Sequence, residues 1–362
     1  MNIIIPLGGK GERFVKEGYN VSKPLIPVFD KTMIEYVLDN ITVTAEDHIF
    51  IIYNKQLDRE GFRELIQSKY QDVHLIELHV DTRGATETIL LGLDIIFKTY
   101  QYHQKTIFID CDTFYTTDIM GAFRGSTSNM VFYRKVPTDT LPLYSYISLG
   151  DGDGDGDCNG DGNIITDIKE KVAISNNANT GAYAFANVKE FYCAGKTVLE
   201  NPNKWTNNEP YISSVIKEML EHSPFIGAEI DPNTLFSLGT PRELCAYKER
   251  THAFLFDLDG TLVRTETIYF AIWETILKRF NIVLTPEIFK DYIEGNSDEY
   301  VLKSLLININ ISLRDLSQKK NALFLENIDK IRVVDGAIKA IRAIKHAGHK
   351  CCVVTNCNRE VA

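Results

Sequence analysis

The sequence predicts an α/β protein in two domains, and three observations carry that expectation. Over the first 120 residues, short apolar runs alternate with stretches of helical period, as parallel βαβ units require. At 253–263 a second apolar run ending in acids and glycine, AFLFDLDGTLV, starts the pattern again. The length agrees, since 362 residues amount to about two domains on a prior of roughly 150 residues each.

The elements follow in order. NIIIP at 2–6 reads as a buried strand that runs straight into Gly8, Gly9 and Gly11. Met33, Ile34, Val37, Leu38 and Ile41 recur at helical spacing. Strands are predicted at 49–54, 74–80 and 106–110, with helices over 57–68 and 85–98 between them. A hairpin is expected from SYISL and NIITDIK, interrupted by the tract DGDGDGDCNGDGN at 151–163. That tract invites a calcium-loop reading, which fails on register. Starting at Asp151 puts Gly162 where the bidentate Glu belongs, and starting at Asp155 puts Thr166 there. A solvated loop insertion is the expectation instead. The second domain opens with the 253–263 strand and continues through mainly helical sequence at 266–330. An amphipathic helix carrying Ala337, Ile338, Ile341 and Ile344 follows, then a strand at 351–356. The junction falls within 241–252, giving domains 1–247 and 252–362.

Composition narrows the function. A formal charge of −10 opposes a broad nucleic-acid surface, and no apolar run approaches the length of a membrane span. Seven cysteines without a CxxC pair argue for a reducing, cytoplasmic setting rather than a disulfide framework. The strongest chemical signal is LGGKGERF after the first strand, followed by SKPLIPV. Glycines at a strand end let backbone N–H groups approach phosphate oxygens, and Arg13 and Lys23 supply fixed cations. Neither a P-loop nor a GxGxxG fingerprint fits this spacing.

At these residues the sequence resembles the sugar nucleotidyltransferase family, over roughly 1–245. The resemblance implies a Rossmann-like, glycosyltransferase-A-like domain with a mixed central sheet, joining a nucleoside triphosphate to a phosphorylated acceptor. It places the nucleotide against Leu7, Gly8, Gly9 and Gly11, and against Gly84, Ala85 and Thr86 of TRGATET. Arg13 and Lys23 become catalytic cations, and Asp112 of IDCDTF becomes a ligand of Mg²⁺, with Asp110 beside it. Glu170, Lys171 and Gly181 of IKEKVAISNNANTGAYAF would face the acceptor. FSLGTPREL departs from the family pattern. Ser237 stands where many members carry a second metal-binding acid, so either Asp231 substitutes or the triphosphate completes the site.

FDLDGTLV resembles the first motif of the haloacid dehalogenase superfamily. That resemblance makes Asp257 a nucleophile, Asp259 an acid/base, both of them neighbours of Mg²⁺, and Thr355 a phosphoryl contact, under a helical cap at about 266–330. The later motifs of that superfamily lie beyond Ala362, so this α/β domain is expected to be truncated and its phosphatase activity weak. Two alternatives stand beside the transferase reading. One is a non-catalytic nucleotide-binding scaffold, which Ser237 favours and the set Arg13, Lys23 and Asp112 opposes. The other is a phosphatase as the main activity of a full-length chain.

Overall fold

The computed structural model describes residues 1–9, 11–137, 142–150, 163–307 and 309–355, and the acidic tract considered for calcium lies almost wholly outside them. The chain divides into two compact units, Met1–Arg250 and Thr251–Ala362.

The first unit is built on one mixed sheet. Strand β1 (Asn2–Leu7) is buried along its whole length, with strands on both edges and a core on each face. Ile3, Ile5 and Leu7 join one core cluster, while Ile4 joins the other. A short hairpin, β2 (Pro27–Val28) and β3 (Lys31–Thr32), follows the glycine loop. Next come β4 (His48–Asn54), β5 (Val73–Leu78) and β6 (Thr106–Ile109), all parallel to β1 in the order β5-β4-β1-β6. The chain thus moves outward from β1 to β5 and then returns to the opposite side of β1. That reversal opens a crevice at the carboxyl ends of β1 and β6, where α/β sheets bind ligands. The expected helix at 57–68 is interrupted. A 3₁₀ segment, Lys55–Glu60, ends at Gly61 with φ of 79°, and the α-helix Phe62–Lys69 starts there.

The sheet then turns antiparallel. Strand β7 (Thr113–Tyr115) leaves it to pair later with β13. Strand β8 (Asn129–Lys135), the hairpin β9 (Ser145–Leu149) and β10 (Ile165–Glu170), and the long β11 (Asn177–Phe185) extend it. Strand β11 pairs with β6, β8 and, through Ala178, β9. Strand β12 (Phe225–Glu229) runs parallel to β8, and β13 (Leu235–Ser237) sets Ser237 opposite Thr113 on β7.

In the second unit, β14 (Ala253–Phe256) runs directly into the DLDGT segment at 257–261. A small antiparallel pair is formed by β15 (Val263–Arg264) and β16 (Arg332–Val333). Strand β17 (Lys350–Val353) is the parallel partner of β14. Helices Glu266–Lys278, Asp298–Ser304 and Leu313–Leu325 share a separate core around Trp273, Ile276, Leu277, Leu316 and Phe324. Among the described residues no helix is long and apolar enough to cross a membrane.

At the amino end of the first sheet, His48 stacks on His103 with ring centroids 5.3 Å apart and lies 5.9 Å from His74. Burial and the two neighbouring imidazoles hold its pKa below the usual histidine value. The unfolded chain therefore binds a proton that the folded chain resists, and stability is lost as pH falls through about 6.5 toward the lower folded value. Thermal midpoints measured from about pH 7.5 to about pH 5 should decline, and His48→Phe should decline less steeply. Equal slopes would remove His48 as the source.

Candidate active site

A cleft of about 980 Å³ opens over the carboxyl ends of β1 and β6. Leu7, Gly8, Gly9, Gly11 and Arg13 form one wall, Lys23 and Asp112 line the floor, and Glu170, Lys171 and Gly181 lie toward the far wall. The fold thus gathers residues that the sequence spreads over 175 positions. A second hollow of about 370 Å³ adjoins it, shares the glycine loop, Lys23, Asp81 and Thr82, and adds Asn54 and Gln56.

The glycine loop is held by close contact. A Cβ on Gly8 would fall 2.1 Å from Thr88 Oγ1 and 2.9 Å from Thr82 Oγ1, so only glycine lets the loop rest on the helix Ala85–Thr99. Lys23 opens a single 3₁₀ turn, Lys23–Leu25. The residue before it is fixed by Glu60, whose carboxylate accepts from Ser22 N at 2.8 Å and from Ser22 Oγ at 2.5 Å.

Lys23 Nζ donates to Asp112 Oδ2 in an ion pair that closes the floor. Their side chains keep 20% and 16% exposure, so both are deeply enclosed yet still reached through the cleft. Burial pulls the Lys23 ammonium toward neutrality, but Asp112 outweighs it and raises the pKa, keeping the group charged. Burial likewise opposes the Asp112 carboxylate, and Lys23 overcomes it, so Asp112 stays ionised. Lys23 also favours the Asp110 carboxylate, but not enough to offset its surroundings. Burial first, and then repulsion from Asp112, push its pKa far above the usual carboxylate range. Between the two acids, burial pushes the Cys111 thiol up to about 12, so it stays protonated.

On the far wall Glu170 accepts from Ser213 Oγ at 2.8 Å, and burial raises its pKa. Lys171 takes a positive φ of 53°, unusual for a side-chain-bearing residue. Its N–H donates to Tyr144 O at 2.8 Å, and its ammonium both donates to Tyr211 Oη and lies 4.5 Å from that ring. Asn179 Oδ1 accepts from Gly181 N at 2.5 Å, while its buried Nδ2 has no protein partner.

Three expectations change here. Thr86 does not line the cleft; it is fully buried in the first turn of its helix, and its N–H donates to Pro210 O at 3.4 Å. Gly84 does line it, but a Cβ there would fall 2.9 Å from Glu209 Cγ and 3.1 Å from Pro210 O, so the glycine is required by protein packing. Asp231 is not among the lining residues; its carboxylate caps the turn Pro232–Thr234 by accepting from Asn233 N at 2.9 Å. The carboxylate that does face Asp112 belongs to Glu243. A Cβ on Gly239 would lie 2.8 Å from Asp112 Oδ2 and 3.5 Å from Glu243 Oε2. Sequence reasoning passed over Glu243 and Arg134, since an isolated acid on a helix and an isolated arginine on a strand carry no motif.

With this geometry in hand, family comparison is decisive: the nucleotidyl transferase model matches residues 2–230. The chain belongs to the nucleotidyl transferase family. Enzymes of this family are of the EC 2.7.7 type. Residues 254–362 match the haloacid dehalogenase-like hydrolase family. No curated protein matches the chain in sequence. A solved nucleoside-diphosphate-sugar pyrophosphorylase from Vibrio cholerae RC9 is 21% identical, with a TM-score of 0.60 over 68% of this chain and 100% of that one. A UDP-glucose pyrophosphorylase solved with UDP-glucose is 17% identical, with a TM-score of 0.53 over 69% of this chain and 99% of its own. At these identities the likeness establishes the nucleotidyl transferase fold.

In the hydrolase-like unit, Leu258 N donates to Asp257 Oδ1 at 2.8 Å and Thr265 Oγ1 to Asp259 Oδ1 at 2.6 Å. The parallel register pairs Phe256 with Val353, which brings Thr355 to the same strand end as Asp257.

Gly181 offers a direct test of how the floor is packed. Its φ is +85°, and a Cβ would lie 2.6 Å from Asp110 Oδ2. Gly181→Ala should lose about 2 kcal/mol of stability through backbone strain and overpacking. A denaturant midpoint within error of the parent would show that the turn relaxes freely.

Proposed function

We propose that the first unit transfers a nucleotidyl group from a nucleoside triphosphate to a phosphorylated small-molecule acceptor, releasing pyrophosphate. The observation that carries this reading is the joining of the glycine loop, Arg13, Lys23 and Asp112 in one cleft at a topological switch point. The nucleotide lies along the glycine loop, with Leu7, Gly8, Gly9, Gly11, Gly84 and Ala85 around it. The acceptor lies toward Glu170, Lys171 and Gly181. A sugar phosphate is the acceptor class favoured by the two solved proteins described above, one a nucleoside-diphosphate-sugar pyrophosphorylase and the other a UDP-glucose pyrophosphorylase.

The reaction needs little proton transfer. A phosphate oxygen of the acceptor, ionised at neutral pH, attacks the α-phosphorus; the bond to the bridging oxygen breaks and pyrophosphate departs with the electron pair. The protein's work is alignment and neutralisation of charge. Arg13 supplies a planar fork beside the loop, and Lys23 supplies a compact charge at the floor. Mg²⁺ fits the donor set, because Asp110, Asp112 and Glu243 offer the hard oxygen ligands that ion prefers. Among the described residues no three metal-binding side chains form a ready-made cage. Asp112 would hold it, with Glu243 across Gly239 and Asp110 beside Cys111. When bound, the ion would neutralise charge on the triphosphate.

The hydrolase-like unit supports a second, phosphate-directed reading, since Asp257, Asp259 and Thr355 meet at one strand end. Removal of a phosphate from a bisphosphorylated metabolite there would supply the monophosphate that the first unit activates.

Thermal stabilisation by each nucleoside triphosphate with Mg²⁺ tests the main reading. A saturating ligand at about 100 times its Kd should add about 2.7 kcal/mol, and Asp112→Asn should abolish most of the gain. If no triphosphate stabilises the chain, a scaffold role replaces the enzymatic one. Lys23→Ala should lose about 2–4 kcal/mol of transition-state stabilisation in pyrophosphate release, and an unchanged rate would reject its role.

A further inference from the structure

We propose that Arg134 binds the phosphate of the acceptor, as a cation that joins Lys171 on the side of the cleft away from the glycine loop. This rests on the transferase reading above. Arg134 stands near the end of β8, paired with Ala178 on β11, and lines the cleft. Its guanidinium lies 5.2 Å from the centre of the Tyr144 ring, and Nη2 donates to Tyr144 Oη at 2.9 Å. Tyr144 Oη in turn donates a hydrogen bond to Glu243 Oε1 at 2.9 Å, and Glu243 Oε2 accepts from Thr240 Oγ1 at 2.9 Å. Both oxygens of Glu243 are therefore engaged by neutral hydroxyls rather than by the guanidinium.

The contrast with other arginines of this unit is informative. Arg63 pairs with Asp58 at 3.2 Å and with Glu77, and Arg124 pairs with Asp47 at 2.5 Å. Among the described residues Arg134 forms no ion pair, although the chain as a whole is strongly acidic. A guanidinium carries five donors, of which Tyr144 takes one. The adjacent ring and the tyrosine–glutamate chain restrain the guanidinium, which leaves its remaining donors available as a fork. A dianionic phosphate matches such a fork in charge and geometry.

Its position suits the reaction. The chain from Arg134 through Tyr144 ends on Glu243, which faces Asp112 across Gly239. Arg13 lies on the opposite wall beside the glycine loop, where the triphosphate is expected. Arg134 is thus placed to hold the attacking phosphate next to the metal-binding floor while Arg13 and Lys23 hold the donor. It moves no proton. It binds two oxygens of the acceptor phosphate and leaves the third to attack.

The test uses the full chain loaded with Mg²⁺ and the α,β-methylene analogue of whichever triphosphate stabilises it most. Inorganic phosphate is then titrated and followed calorimetrically. In Arg134→Gln, phosphate affinity should fall about tenfold or more, while analogue affinity and thermal midpoint stay at parent values. Arg134→Lys should fall between the two, and Tyr144→Phe should weaken phosphate by a smaller factor. Equal phosphate affinity in the parent and Arg134→Gln would overturn the proposal. Failure of phosphate to bind the loaded parent would do the same. Failure of every analogue to bind would instead remove the transferase reading, and this assignment with it.

Discussion

A lysine and an aspartate 89 residues apart share one ion pair at the bottom of the cleft, and the arrangement of the first unit can be understood from it. An isolated ammonium or carboxylate at that depth would lose its charge to desolvation. Together they remain ionised, each reversing the effect of burial on the other. Bringing them together requires β1 and β6 to be neighbours, although β4 and β5 intervene in sequence. The glycine loop must also fold back over β1 so that the turn carrying Lys23 reaches the end of β6. The sheet order and the loop geometry are therefore two aspects of one electrostatic requirement.

Much of this was legible beforehand. The alternating pattern of 2–6, 49–54, 74–80 and 106–110 located the four parallel strands, because buried parallel strands are continuous apolar runs bounded by turns. Gly8, Arg13, Lys23 and Asp112 were legible because they sit in dense motifs. Arg134 and Glu243 were not, since they meet only through Tyr144, which is 10 residues from one and 99 from the other. No local pattern encodes that contact. Thr86 misled for a related reason. Its neighbours Gly84 and Ala85 line the cleft, but on a helix the next residue points elsewhere. Asp231 misled because chain proximity to Ser237 suggested substitution, whereas its oxygen is committed to a local turn.

The two units handle their acids differently. In the first, two neighbouring carboxylates share the cleft floor with a lysine that pairs directly with one of them. In the second, Asp259 is steadied by the Thr265 hydroxyl at a strand end, with Asp257 two residues away. The cores are separate as well, because the cluster around Trp273 and Leu316 draws only on residues after 267. Each unit thus carries its own hydrophobic support for its own phosphate-directed residues.

Strand β11 has a mechanical consequence. Its residues 177–179, Tyr183 and Ala184 pair with β8 on one side and its residues 182–185 pair with β6 on the other, so one strand is bonded to both halves of the sheet. Between those stretches lie Thr180 and Gly181, fastened by Tyr115 Oη donating to Thr180 O at 2.7 Å and by Asp110 N donating to Gly181 O at 2.8 Å. The floor of the cleft is consequently a single beam rather than two plates with a hinge. Any closing motion has to come from the loops above it, while the spacing between the floor acids and Arg134 is set once, when the sheet forms.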